Sequence, residues 1–222
     1  MINKNSEKQL PFGRKLLVIL VFVVLSLPVF AQKFEGGLLA GFNGSQVRGH
    51  LMSNGFHKFG LLGGAWVQSA ISDNLYWEME LKFSQKGFKI SPTIKNGGYL
   101  YIYQLNYIDM PVAFGYQAND VFSLFAGLSF DYLISSSARD NYGTVEFEGG
   151  PRNWELGIFT GLRVKFDQLV KQEWAKNFKL DFRYQFSAIP IYTTNNKLFY
   201  YSPYSQFNSV ISTALYYNIK WQ

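Results

Sequence analysis

"LYWEMELKFSQKG", residues 75–87, separates into two sets when read at alternate positions. Leu75, Trp77, Met79, Leu81 and Phe83 take one side; Tyr76, Glu78, Glu80, Lys82 and Ser84 take the other. A period of two marks a β-strand, because successive side chains leave opposite faces of the pleat. One face of this strand is wholly apolar and the other carries three charges. In a soluble sandwich or barrel the apolar face is the core, whereas in a membrane barrel it meets lipid. The direction of that face decides the compartment and limits the function.

Outward from this stretch the alternation recurs, giving eight extended segments. The first, "FEGGLLAGFNGS" (34–45), puts Phe34, Leu38, Ala40 and Phe42 on one face, and the second, "FGLLGGAWVQSA" (59–70), is Gly-rich and ambiguous in phase. The fourth runs from about Tyr99 to Tyr116. Its apolar phase changes near Tyr107, from Tyr101, Tyr103, Leu105 and Tyr107 to Ile108, Met110, Val112 and Phe114. That change predicts a β-bulge at Tyr107, with Pro111 tolerated beside it. The fifth (121–136), sixth (153–166), seventh (178–187) and eighth (from Ile211 to the end) alternate cleanly. Long connections at 46–57, 89–98, 138–152 and 188–206 take turns with tight ones at 71–74 ("ISDN") and 117–120 ("QAND"); the third of that set, 167–177 ("DQLVKQEWAKN"), is longer and departs from the pattern. Antiparallel neighbours joined in this way gather the long loops at one end.

The 222 residues suffice for one all-β domain. Only 16% are charged and 18% are aromatic, against about a quarter charged in soluble domains. With no cysteine there is neither a disulfide framework nor a thiolate metal site. Lys4, Lys8, Arg14 and Lys15 precede the apolar run "LLVILVFVVLSLPVF", and Val29 and Ala31 fit the −3 and −1 sites of a signal peptide. Residues 1–31 are therefore expected to be cleaved before Gln32, leaving 32–222 as the barrel domain. The run falls short of the roughly 20 residues a spanning helix needs. After cleavage 17 basic and 14 acidic residues remain, which is no nucleic-acid footprint.

Three features turn the apolar face outward. The polar face is rich in Gly and Ser and poor in the Lys and Glu of a soluble surface, which suits the interior of a narrow barrel filled by side chains. Trp66, Trp77, Tyr116, Trp154, Tyr217 and Trp221 lie toward strand ends, as interfacial girdles do. The signal peptide delivers the chain to where an outer membrane is reachable. A soluble eight-stranded barrel could not enclose so many large apolar side chains, each worth ~1.5–3 kcal/mol when removed from water. The expected fold is an all-β, eight-stranded, antiparallel up-and-down transmembrane barrel.

With that orientation the lumen receives Glu78, Glu80, Lys82, Asp131, Glu155, Arg163, Lys165, Lys179, Asp181 and Arg183. Buried charges must pair and be hydrogen-bonded. These ten are expected to form a structural cross-barrel network, Glu78, Glu80 and Lys82 being met by Arg163, Lys165, Lys179 and Arg183. The alternative is a narrow gated path for ions or small solutes.

Several stretches resemble the small outer-membrane β-barrel family widespread in Bacteroidetes and often called PorT-like: "GLLAGFNGS", "GFHKFGLLGGAWVQ", "EMELKFSQKG", "LNYIDMPVAFGY" and "FAGLSFDYLIS". The order of the last three covers 78–135. The resemblance implies an eight-stranded barrel with periplasmic termini, and the family's namesake is linked to protein secretion through the type IX pathway. Outer-membrane barrels usually end in an aromatic residue; here Trp221 is penultimate, before Gln222.

Enzymatic barrels of this size need Ser with His, or Asp with His activating water. The two histidines, His50 and His57, lie in or beside the first long loop, and Asp140, Glu146 and Glu148 fall in the third without a spacing that demands a site. No enzyme activity, cofactor or metal is expected. "GGLLAG" and "GLLGG" read as close packing, since no helix start follows either. The outer loops are read as carrying Arg48, Lys86, Lys89, Lys95, Arg139, Arg152 and Lys197, suited to lipid phosphates or to plain solubility. Tyr200, Tyr201 and Tyr204 suit a protein contact or the outer girdle. The expected partners are outer-membrane lipid including lipopolysaccharide, and a secretion-apparatus or extracellular protein.

Overall fold

In the computed structural model, sustained alternation produces long strands that pair only with antiparallel neighbours. It describes residues 34–49, 55–145, 150–167, 169–170, 172–192 and 205–219. The strands are β1 (Phe34–Arg48), β2 (Lys58–Ala70), β3 (Leu75–Ile90), β4 (Tyr101–Gln117), β5 (Phe122–Asp140), β6 (Gly143–Val145), β7 (Trp154–Lys165), β8 (Phe178–Ser187) and β9 (Phe207–Ile219). Each long strand pairs with the next long one, and β1 pairs with β9 from Gly36↔Ile219 to Arg48↔Phe207, closing the ring. Eight strands thus form an up-and-down barrel. The short β6 stands outside that ring, folded back on the end of β5.

Residues 71–74 and 118–121 make tight turns at one end, called here the turn end. In the second turn, the Asn119 carboxamide oxygen accepts hydrogen bonds from the backbone N–H groups of Val121 and Phe122. The third connection at this end is longer because it holds a 3₁₀ turn, Glu173–Asn177, that buries Ala175 and sets Trp174 edge-on to Phe178. The described residues of the other connections lie at the opposite, loop end.

The apolar face of the opening stretch points away from the lumen. Leu75, Met79 and Leu81 are exposed, and so are Leu38, Phe42, Phe59, Leu61, Phe114, Leu128 and Phe130 around the ring. Their partners in alternation, Tyr76, Glu78, Glu80, Lys82 and Ser84, are buried. Lipid-facing runs such as Leu75–Phe83 and Ile108–Tyr116 have the length, roughly 9–11 residues, of a tilted strand crossing a hydrocarbon core.

Two expectations about local structure are corrected. The irregularity does fall at Tyr107, where the β4–β5 register shifts, but β4 carries no extra residue: Tyr101, Tyr103, Leu105, Tyr107, Asp109, Pro111 and Ala113 all point inward in one unbroken phase. The register shift lies on β5, where Asn106 faces Ser135 and Tyr107 faces Leu133, leaving Ile134 as the extra residue. Pro111 instead interrupts the β3–β4 ladder between Met79↔Val112 and Lys82↔Asp109 without shifting register. The apparent phase change on β4 arises because the loop-end interior is itself apolar. Trp66 is the second correction. It is buried in the lumen, 4% exposed, with its indole N–H donating to the Leu38 carbonyl, and is no girdle residue. Trp154 (55% exposed), Tyr116 and Tyr217 do face outward. Trp221 lies outside the described residues, as do residues 1–31, expected to be a signal peptide, and His50, Glu146, Glu148, Lys197, Tyr200, Tyr201 and Tyr204.

Candidate functional site

The site is the lumen, built in layers by inward positions of neighbouring strands. Nearest the turn end, Arg163 of β7 is 1% exposed. Its guanidinium donates to both Glu78 oxygens on β3 at 2.5 and 2.8 Å, and to both Asp181 oxygens on β8 at 2.6 and 2.8 Å. The Tyr216 ring lies 4.7 Å from its Cζ. Two carboxylates converge on one bidentate cation, the strongest geometry such a pair can take.

In the next layer the Glu80 carboxylate accepts from Arg183 at 2.5 and 3.1 Å, from the Lys82 ammonium at 2.6 Å and from the Tyr216 hydroxyl at 2.7 Å. Arg183 also lies 4.4 Å from the Phe159 ring centroid. Further toward the loops, Lys86 bridges Asp131 at 2.6 Å and Asp109 at 3.1 Å, with the Tyr107 ring 4.6 Å from its ammonium. Asp131 also accepts from Gln185 at 2.8 Å and from Ser129. Glu155 accepts from the Ser187 hydroxyl and the Asn208 amide, each at 2.6 Å.

Above these layers an apolar cluster fills the loop end: Val47, Phe88, Ile90, Tyr101, Tyr103, Leu105, Tyr107, Ala138, Ile191 and Tyr192. The Tyr103 and Tyr192 hydroxyls are hydrogen-bonded to each other. Burial and the neighbouring Tyr103 hold the Tyr192 hydroxyl above the usual tyrosine range, so it stays neutral at any physiological pH. At the turn end a cavity of about 290 Å³ opens, with Glu35, Gln68, Gln117, Lys165, Asp167 and Lys179 among its lining residues.

The ten expected residues therefore divide. Glu78, Glu80, Lys82, Asp131, Arg163, Asp181 and Arg183 are buried and ion-paired. Glu155 is buried but held by neutral donors. Lys165 and Lys179 do not complement Glu78 or Glu80. They lie half-buried at the cavity, Lys165 donating to Gln117 at 2.6 Å and Lys179 sitting 3.5 Å from Glu35 and 4.5 Å from the Trp66 ring.

Asp109 and Lys86 were missed, and Lys86 is corrected from loop cation to buried lumen residue, 1% exposed. Extending the alternation of β3 past Lys82 and Ser84 to Lys86 would have placed it inside. Reading β4 in one phase would have done the same for Asp109. Lys86→Ala would leave Asp109 and Asp131 buried without their cation, at a cost of about 3–5 kcal/mol. Urea unfolding in detergent is expected to show a large fall in midpoint, whereas exposed Lys95→Ala changes stability by less than about 0.5 kcal/mol.

His57 is exposed at the loop end, its backbone N–H bonded to the Gly55 carbonyl. Asp140 spends its carboxylate on the N–H groups of Tyr142 and Gly143 in the β5–β6 turn. No cluster of three or more metal-binding side chains occurs among the described residues.

Comparison with known proteins decides the assignment. The family model for the outer membrane protein beta-barrel domain matches residues 30–192. The chain belongs to this family. Its apolar exterior is accordingly the lipid-facing surface of an outer-membrane β-barrel. Among solved structures, Neisserial surface protein A is similar at 12% identity, covering 85% of this chain and 97% of that one, with a TM-score of 0.49. Ail, the attachment invasion locus protein of Yersinia pestis in complex with the heparin analogue sucrose octasulfate, is similar at 13% identity over 84% and 99%, with a TM-score of 0.47. A de novo designed transmembrane β-barrel is similar at 12% over 85% and 99%, with a TM-score of 0.36. No curated protein matches.

Proposed function

We propose that this outer-membrane barrel is a closed, membrane-anchored scaffold with an interaction role, neither a conduit nor an enzyme. The observation that carries this reading is the filling of the lumen: ion-paired layers beneath an apolar cap of Tyr101, Tyr103, Leu105, Tyr107 and Ile191. An ion crossing it would have to break buried charge pairs and then enter an apolar constriction, each step costing several kcal/mol. Planar bilayers containing the purified protein are expected to stay electrically silent. Steady unitary conductance, abolished by Glu155→Gln in a barrel that keeps its compact form, would instead establish a narrow channel.

In this reading the ten lumen charges found in the sequence serve structure. The termini and tight turns face the periplasm, and the loops face outside. Charge distribution supports this orientation: Arg48, Lys89, Lys95, Arg139 and Arg152 outnumber Asp140 at the loop end, where outer-leaflet phosphates would be met, while Asp73, Asp120 and the Glu173–Lys176 pair lie at the turn end. Residues 1–31 act as the export signal, and the mature chain begins at Gln32. A partner in the secretion apparatus, suggested by the PorT-like resemblance, would meet the turn end, and an extracellular partner the loops. Crosslinking from Asp73 and from Lys95 in intact cells tests the orientation, because each end should capture proteins of one compartment only.

A further inference from the structure

The outward face of β3, β4 and β5 changes chemistry over four successive cross-strand rungs. Phe83, Ile108 and Tyr132 form the last wholly apolar rung, and the extra residue Ile134 of β5 is exposed just beyond it. Next come Gln85, Asn106 and Ser135, then Gly87, Gln104 and Ser137, then Lys89, Ile102 and Arg139. The polar rungs are linked laterally: the Gln104 amide donates to Asn106 at 3.2 Å, and the Asn106 amide donates to the Ser135 hydroxyl at 2.8 Å. Among the described residues on these rungs there is no carboxylate.

The wall carrying this face is rigid. Its inner side is the apolar cap, with Phe88, Tyr103 and Leu105 buried behind the polar rungs. Its crest is tied across strands, since the Leu100 N–H donates to Asn141 at 2.6 Å and the Asn141 amide donates to the Gly98 carbonyl at 3.1 Å.

Height selects the occupant. At about 3.3 Å per residue and a tilt of roughly 40°, the Lys89–Ile102–Arg139 rung stands ~15 Å above the apolar rung along the membrane normal. Phospholipid headgroups add only about 5–8 Å beyond the hydrocarbon on each side. Amides and hydroxyls lie at headgroup depth, and two cations lie above it.

We propose that this wall is a docking face for the phosphorylated saccharide head of an outer-leaflet glycolipid. Gln85, Gln104, Asn106 and Ser135 meet sugar hydroxyls, and Lys89 and Arg139 pair with phosphates that a phospholipid cannot raise to their height. The assignment rests on the orientation proposed above, with loops outside.

The test compares wild type with Lys89→Gln/Arg139→Gln after refolding into three vesicle types: phosphatidylcholine alone, with phosphatidylglycerol, or with lipopolysaccharide. The readout is the temperature at which the compact, fast-migrating gel form is lost. Lipopolysaccharide is expected to raise it for wild type by roughly 5 °C over both other vesicles, the scale of one to two charge-assisted contacts. The double variant should match wild type in phosphatidylcholine and lose most of the lipopolysaccharide gain. An equal gain from phosphatidylglycerol, or a gain kept in full by the variant, overturns the glycolipid assignment while leaving the closed-barrel reading intact. Failure of wild type to form the compact species in phosphatidylcholine would strike that reading and remove this proposal with it.

Discussion

Arg163→Ala is expected to abolish the heat-modifiable, compact form of the barrel at ordinary temperatures. The side chain is fully enclosed and holds both oxygens of Glu78 and both of Asp181. Its removal leaves Glu78 buried without its cation and Asp181 with only Arg183, 3.9 Å away and already paired with Glu80, while Lys179 at the turn end sits 3.5 Å from Glu35. Breaking a single buried pair in this way costs about 3–5 kcal/mol, and here two pairs share one cation. Total stabilities of about 5–15 kcal/mol leave little room for such a loss. Gel shift on heating and urea titration in detergent micelles both measure it. Neutralising the whole triad, Arg163→Met with Glu78→Gln and Asp181→Asn, should recover a large part of the loss, because no unpaired charge is then buried. An Arg163→Ala barrel with the wild-type urea midpoint would show that the layer is hydrated and that the lumen is less closed than its packing implies.

The second large effect is expected at the seam where the chain closes on itself. Gly37 and Gly41 on β1 face Asn218 and Ala214 on β9. A Cβ on Gly37 would collide with the Tyr217 carbonyl, and one on Gly41 with the Thr213 carbonyl while lying 2.6 Å from the Ala214 Cα. These are backbone atoms of a paired strand and cannot swing aside. Gly41→Val should therefore prevent β1 from docking on β9, leaving an open sheet with unpaired edges in the membrane, where every unsatisfied backbone group costs several kcal/mol. The expected outcome is loss of the compact gel form and degradation in cells. Gly97→Ala is the control: Gly97 lies in the β3–β4 loop at φ 66° with open space around its Cα, so only local loop strain follows. Normal assembly of Gly41→Val would mean that the seam is looser than the strand pairing implies.

Much of this architecture is legible in alternation alone. The opening stretch assigns Glu78, Glu80 and Lys82 to the interior and Leu75, Met79 and Leu81 to lipid, because a period of two fixes the face once one end is known. The same rule, carried through Lys86 and through an unbroken β4, would have delivered Lys86 and Asp109. It was defeated by Tyr101, Tyr103, Leu105 and Tyr107, whose apolar side chains imitate a lipid-facing phase. A pattern of polarity reports the face only where the interior is polar, and at the loop end it is not. Trp66 escaped for a related reason. An indole suits a membrane interface, but it also suits a lumen where its N–H reaches a carbonyl and its ring covers a lysine.

The sequence by itself determined the eight long strands, their order of pairing, the outward apolar belt and the inward placement of most of the charges. Each of these follows from local periodicity and connection length, which require no knowledge of distant residues. Tertiary structure alone decided which charge meets which. Arg163 reaches Glu78 across 85 residues of chain and Lys86 reaches Asp131 across 45, and these distances depend on how the ring closes. Closure also puts Lys165 and Lys179 at the mouth instead of against Glu78 and Glu80, and raises the apolar cap over the charged layers. Periodicity fixes a side chain's face; only the closed barrel's stagger fixes its depth, and depth selects its partner.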